Sequence, residues 1–294
     1  MSNRVNSPPG LAGYINVLKP KETSLLVFIG TCTALVAASI TQAGFSLYTF
    51  ILTVVAITLG SAGANGLTNY LDRDVDARMK RTCSRALPSG RINPPQKALP
   101  LIILCIVGAL ILSWILSPAC FVIGSVGILV SGIWRKTAAC TYFGIIAGSA
   151  PVLIGWYGVS GQASVELLPV LFFCLIAAWT PLHVWTLMLA NREDYEGAGI
   201  RYFPLTWKAG NVIRILAILS FLLTLISVLI YVLSGKFHWL YLAACSVLSV
   251  LMIGASLRLL FAPTSKNSWS VYKFTAFPYL GIIFIAMVID RWLL

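Results

Sequence analysis

Apolar runs long enough to cross a membrane recur along this chain, and they constrain its fold more than any other feature. A helix spanning the hydrocarbon of a bilayer takes about 20 mostly apolar residues. Nine segments approach or meet that length: 23–43, 46–68, 98–116, 118–134, 139–160, 165–189, 211–233, 239–258 and 274–291. With 59% of the 294 residues hydrophobic and only 10% charged, there is too little polar surface to coat a soluble globule. The expected architecture is an all-α integral membrane protein, with nine transmembrane helices in a single bundle around a central cavity. Residues 1–22 are expected as a cytoplasmic N-terminal tail and 23–294 as one membrane domain. The opening MSNRVNSPPG is polar and ends on Pro-Pro-Gly, which predicts a short disordered tail and no signal peptide.

Three substantial polar loops, 69–97, 191–210 and 259–273, each follow an even-numbered segment, so they share one side of the membrane. Of the 21 Lys and Arg residues only Lys236 and Arg291 fall on the other side, which leaves 19 with these loops, the N-terminus and the adjoining helix ends. By the positive-inside rule the N-terminus and the large loops are cytoplasmic and the C-terminus lies outside. Orientation and an anionic substrate account for the net charge of +12. The cations lie between apolar runs and form no solvated basic domain with aromatic stacking partners, so nucleic acid is not an expected partner. The seven cysteines lie mostly in apolar runs with no CxxC pair, and read as small core hydrophobes, neither disulfides nor a zinc site.

Polar chemistry concentrates in residues 65–91, NGLTNYLDRDVDARMKRTCSRALPSGR, which hold three of the nine acidic residues. If the helix that begins near Ser46 continues past Gly66, Asn65, Asn69, Asp72 and Asp76 recur at i, i+4, i+7 and i+11 and share one face. Carboxylates four residues apart on a helix stand about 5–6 Å apart at Cβ, close enough to share a divalent cation. Hard oxygen ligands favour Mg²⁺, which completes its shell with water and substrate phosphate oxygens. Arg78, Lys80, Arg81 and Arg85 are the residue types that hold the remaining phosphate charge. The plain alternative is a charged loop on a membrane protein. A second acidic island, Glu193, Asp194 and Glu196, follows the sixth segment, and the two islands are four helices apart. That spacing hints at an internal pseudo-repeat. If the halves pack face to face, the acids converge on one cavity at the cytoplasmic boundary. The alternative for the second island is a capped loop whose acids pair with Arg192 and Arg201.

His183, in WTPLHVW, is one of only two histidines. A lone histidine on an apolar helix is ordinarily a satisfied structural donor, and a ligand role is the sharper alternative. His238 lies in a short external connection, where an interfacial role is the default. Trp156 and Tyr157 are expected in an interfacial aromatic belt. Trp179 and Trp185, which flank His183, fit either that belt or a π-rich wall able to stabilise a carbocation.

Two carboxylate clusters, cations and a largely apolar cavity at the membrane face suit a prenyl diphosphate, whose tail dissolves only in lipid and whose head demands Mg²⁺, Lys and Arg. Metal and cations would neutralise the charge on the departing diphosphate, and the apolar cavity would keep the allylic cation from water. The run NYLDRDVDARMKRTCSRALPSGRI resembles the first aspartate motif of the UbiA superfamily of intramembrane prenyltransferases, most closely its haem-farnesylating (haem O synthase) branch. WTPLHVWTLMLANREDYEGAGI resembles that branch's second motif, and GSAPVLIGWYGVSG its Gly- and Pro-rich fifth helix. The chain departs from the pattern at Thr68, Ala86, Leu182, Val184, Ala198 and Arg201-Tyr202.

The resemblance implies Mg²⁺-dependent transfer of a farnesyl or geranylgeranyl group from its diphosphate to the vinyl group of haem B, giving haem O in a prokaryotic cell membrane. The implied partners are prenyl diphosphate, haem B, the lipid bilayer, and a haem A synthase or terminal oxidase assembly downstream. By residue, it implies Asp72 and Asp76 on Mg²⁺ with Asn65 or Asn69 assisting, and Asp194 with Glu193 on a second metal. Lys80, Arg81 and Arg85 take the diphosphate, and His183 contacts the haem iron. Alternatives are a related prenyltransferase acting on an aromatic quinone precursor or a glycerol lipid, and, from another class, a polytopic transporter.

Overall fold

A computed structural model describes residues 10–41, 45–133, 135–161 and 164–294, so nearly all of the expected disordered tail lies outside the described residues. The described part is helical throughout. In chain order the helices are α1 (Leu11–Val17), α2 (Pro20–Ile40), α3 (Leu47–Asp76), α4 (Leu99–Leu116), α5 (Pro118–Gly132) and α6 (Cys140–Ser160). They continue with α7 (Leu167–Ala190), α8 (Arg192–Gly197), α9 (Ala209–Ser234), α10 (Trp239–Phe261), α11 (Ser265–Ala276) and α12 (Pro278–Leu293). Among the described residues eight stretches are long and apolar enough to cross a membrane, the last being α11 and α12 together. The segment expected at 118–134 forms α5, apolar but only 15 residues long.

The helix ends follow local chemistry. Ser46 accepts a hydrogen bond from the Thr49 N–H and starts α3, while Ser117 accepts from the Cys120 N–H at 3.1 Å where α4 gives way to α5. Gly161 and Gly235, at φ +65° and +58°, end α6 and α9 in the left-handed conformation that glycine adopts without strain.

Among the described residues nine helices close into a ring, in which α2, α3, α4, α5, α6, α7, α9, α10 and α12 each pack on the next and α12 returns to α2. Helices α2 and α6 also press together across the ring. Glycine makes this possible, because a Cβ on Gly155 would stand 2.3 Å from the Gly30 carbonyl oxygen. Helix α6 is therefore enclosed by protein on several sides, and Trp156 and Tyr157 are buried in the core, not set in the interfacial belt expected of them. Trp156 packs edge-on against Phe172 of α7.

The stretch 259–273, expected as a loop, is mostly helical. Helix α10 runs on to Phe261, and α11 starts behind Thr264, whose hydroxyl accepts from the Asn267 N–H at 3.2 Å. Helix α11 packs on α7 and α10, and that tertiary contact supports a sequence too polar to announce itself as a buried helix. At the opposite end of the bundle, fully buried Asp290 accepts hydrogen bonds from the His238 and Tyr241 N–H groups and so caps α10. Arg291 beside it donates to the carbonyls of Lys236 and Ser39.

Candidate active site

Helix α3 runs unbroken through Gly66 to Asp76, so Asn65, Asn69, Asp72 and Asp76 share the face that their spacing predicts. Asn69, Asp72 and Asp76 are buried. Carboxylates taken out of water need compensating charge, and it arrives from distant segments. Arg135 grips Asp72 with both arms, Nη2 to Oδ2 at 2.6 Å and Nε to Oδ1 at 3.3 Å. The ammonium of Lys136 lies 3.7 Å from Asp72 and 3.4 Å from Asp76, and so bridges the pair. Arg85 lies 3.1 Å from Asp76 and 3.9 Å from Glu22 at the start of α2.

Arg135 and Lys136 were not among the sequence candidates. Their signal was a pair of cations, the only charged residues between 118 and 160, interrupting two apolar runs. Lys19 was missed as well. Its Nζ donates to Thr68 Oγ1 at 3.1 Å, and burial with the neighbouring Arg85 and Arg135 lowers its pKa to about 8.

Whether these groups suit a divalent cation can be judged from their atoms. Asp72 and Asp76 already share one cationic centre, the Lys136 ammonium. One turn earlier Asn69 donates from Nδ2 to the Val17 carbonyl at 3.0 Å, which leaves its Oδ1 buried without a partner. A backbone carbonyl only accepts, so this bond fixes which end of the amide is oxygen. Two carboxylates and an orphaned amide oxygen on one helix face form a hard-oxygen set that fits Mg²⁺. Asn65 instead donates to Thr23 at 3.0 Å.

The second acidic island meets the cationic segment that follows the first. Asp194 on α8 accepts the backbone N–H groups of Lys80 at 2.6 Å and Arg81 at 3.3 Å. The Arg81 guanidinium reaches the Tyr195 hydroxyl at 3.4 Å. Asp194 therefore ties down the segment that displays the exposed side chains of Lys80 and Arg81. It does not join Asp72 and Asp76 in one cluster, since no three His, Cys, Asp or Glu side chains converge as a metal centre among the described residues. Glu196 pairs with Arg192 at 2.7 Å, as the capped-loop alternative anticipates, while Glu193 is exposed with no ion pair among the described residues.

A cavity of about 280 Å³ opens beside the acidic pair, enclosed by α2, α3, α4, α5 and α6. Lys19, Thr68 and Arg135 line its polar end, and Ala56, Gly124 and Ile154 its apolar end. From Thr68 back to Ala56 along α3 is 12 residues, about 18 Å of helix.

His183 lies outside that cavity, on the side of α7 facing α11. Its ring is stacked between Trp179 and Tyr272, each with its centroid 4.7 Å away. Trp185 is buried and donates to Thr141 at 3.1 Å.

The profile of the UbiA prenyltransferase family matches residues 27–281. The chain belongs to that family. It is thus a prenyl-transferring enzyme, integral to a membrane. The chain is 34% identical over 286 residues to the protoheme IX farnesyltransferase of Desulforudis audaxviator, a match covering 95% of this chain and 88% of that one. It is 36% identical over 285 residues to protoheme IX farnesyltransferase 1 of Picrophilus torridus, covering 95% and 94%. Among solved structures, a digeranylgeranylglyceryl phosphate synthase superposes with a TM-score of 0.78 at 18% identity, over 97% of this chain and 99% of that one. A UbiA homologue from Archaeoglobus fulgidus, bound to GPP and Mg²⁺, superposes with a TM-score of 0.62 at 16% identity, over 94% and 99%. At those identities the structures establish a shared family fold.

Proposed function

We propose that this enzyme transfers a farnesyl or geranylgeranyl group from its diphosphate to the vinyl group of haem B, forming haem O, with Mg²⁺ as its metal. The observation that carries this reading is the contact between the second acidic island and the cationic segment that follows the first. Asp194 holds the backbone of Lys80 and Arg81 on the segment that directly follows Asp72 and Asp76, and Arg135, which grips Asp72, lines the polar end of an elongated apolar cavity. The curated relatives supply the acceptor, because they are protoheme IX farnesyltransferases.

In this scheme Asp72, Asp76 and Asn69 Oδ1 hold Mg²⁺, and Asp194, whose oxygens keep further lone pairs, takes a second ion with Glu193. Bound magnesium would supply Lewis-acid neutralisation of the charge that builds on the leaving diphosphate. Lys80, Arg81 and Arg85 bind the diphosphate, joined by Lys19, Arg135 and Lys136. The cavity takes the prenyl tail and excludes water from the allylic carbon. His183 faces the acceptor. The bond from the prenyl carbon to the diphosphate oxygen breaks and a bond to the vinyl carbon forms. Water adds as the hydroxyl group and gives up a proton, so haem B, prenyl diphosphate and water yield haem O and diphosphate. The N-terminus and the three large loops are cytoplasmic in this reading, α5 makes the ninth crossing, and the site lies at the cytoplasmic face of a prokaryotic cell membrane.

The test supplies purified protein in nanodiscs with labelled farnesyl diphosphate and Mg²⁺, and offers haem B, an aromatic quinone precursor and a glycerol lipid as separate acceptors. The expected outcome is label in haem, seen as a mass gain of one farnesyl group plus one hydroxyl group. Label confined to either other acceptor replaces this reading with the corresponding prenyltransferase. Prenyl diphosphate carried across the membrane intact would point to a transporter.

A further inference from the structure

The surroundings of His183 determine which of its nitrogens is available. Thr275, buried on α11, donates its single hydroxyl proton to the Tyr272 carbonyl at 2.8 Å. The same oxygen lies 3.0 Å from His183 Nδ1. With that proton on the Tyr272 carbonyl, Thr275 Oγ1 meets the ring as an acceptor, and Nδ1 then carries the hydrogen. In the neutral ring the lone pair then sits on Nε2. Nε2 makes no hydrogen bond among the described residues, and His183 is half-buried. Trp179 and Tyr272 cover the two ring faces, and Trp179 Nε1 donates to the Thr275 carbonyl at 2.7 Å, which joins all four residues into one unit. A histidine that ligates a metal ordinarily donates its other N–H to a fixed acceptor, which sets tautomer and ring orientation.

We propose that Thr275 is a positioning residue for the acceptor: its hydroxyl holds His183 as the Nδ1–H tautomer and presents the Nε2 lone pair to haem iron. The proposal rests on haem B being the acceptor. Trp179 and Tyr272 keep the ring from rotating, so its edge alone faces the ligand.

The experiment titrates ferric haem B into the detergent-purified full chain and follows the Soret band and the electron paramagnetic resonance spectrum. The parent, Thr275→Ser, Thr275→Val and His183→Ala proteins are compared, with farnesyl diphosphate affinity measured in parallel. Thr275→Val keeps the volume of the side chain and removes the acceptor, and is expected to weaken haem binding about 10–100-fold, the range for loss of a ligand's outer partner. Thr275→Ser restores binding, and farnesyl diphosphate affinity is unchanged in every variant. Thr275→Ala carries the same expectation if the Val variant folds poorly. Parent-like haem affinity and spectra in Thr275→Val or Thr275→Ala, while His183→Ala loses the ligand signature, overturn the proposal and leave the haem reading standing. A His183→Ala spectrum identical to that of the parent overturns iron ligation itself, and the role of Thr275 with it.

Discussion

Asp72 and Asp74 are two residues apart and have opposite fates. Asp72 is 3% exposed and gripped by Arg135, whereas Asp74 points off that face and among the described residues pairs with Arg73 at 3.5 Å. Replacing Asp72 by Asn is expected to lower Mg²⁺-dependent diphosphate release about 10²–10³-fold, the usual consequence of losing a group that stabilises developing charge. The Asp74→Asn protein should stay within about twofold of the parent, as exposed ion pairs contribute little. A continuous assay for inorganic diphosphate distinguishes them, and equal losses in both would remove Asp72 from the metal site. Lys19 predicts a pH effect. With a pKa of about 8 it is charged below that pH and neutral above it. An anionic diphosphate raises its pKa, so binding just above pH 8 takes up a proton, and affinity falls as pH rises through 8. Calorimetry in buffers of different ionisation enthalpy measures that uptake, and Lys19→Gln should abolish it.

At the scale of elements, the connection after α3 is held by a helix more than a hundred residues away. Asp194→Ala removes the acceptor for the Lys80 and Arg81 N–H groups. It should expose Lys80, Arg81 and Arg85 to trypsin and raise KM for prenyl diphosphate more than it lowers kcat. Digestion identical to that of the parent would show that the segment holds itself. Helix against helix, Gly155 and Gly254 make a matched pair. Gly155→Ala drives a methyl into the Gly30 carbonyl and is expected to cost about 1–3 kcal/mol, read as a lower unfolding temperature in nanodiscs. Gly254 in α10 has nothing within 4 Å of an added Cβ, so Gly254→Ala should be neutral or gain up to about 1 kcal/mol from helix propensity.

For the whole molecule, orientation is the property to measure. The two cations expected outside, Lys236 and Arg291, meet at one end of the bundle, where an Arg291 nitrogen donates to the Lys236 carbonyl at 2.7 Å. Both acidic islands and the exposed Cys83 belong to the other end. A membrane-impermeant maleimide should therefore label Cys83 in inside-out vesicles and leave it unlabelled in right-side-out ones. The reverse pattern would invert the topology inferred from the loop charges.

Local periodicity carried part of this protein by itself. Apolar runs separated by caps and glycines specify membrane helices one at a time, and the spacing of Asn69, Asp72 and Asp76 on α3 places their oxygens on one face, because a helix converts sequence separation directly into direction. What pairs with those oxygens depends on contacts across the bundle that no local pattern encodes. Arg135 and Lys136 reach Asp72 from 63 and 64 positions away, Asp194 serves as a backbone anchor, α11 folds against α7 and α10, and Thr275 sets the tautomer of a histidine 92 residues earlier. Burial decided these roles: a charge or polar atom withdrawn from water takes whichever partner the packed helices bring within reach, however far off in the chain.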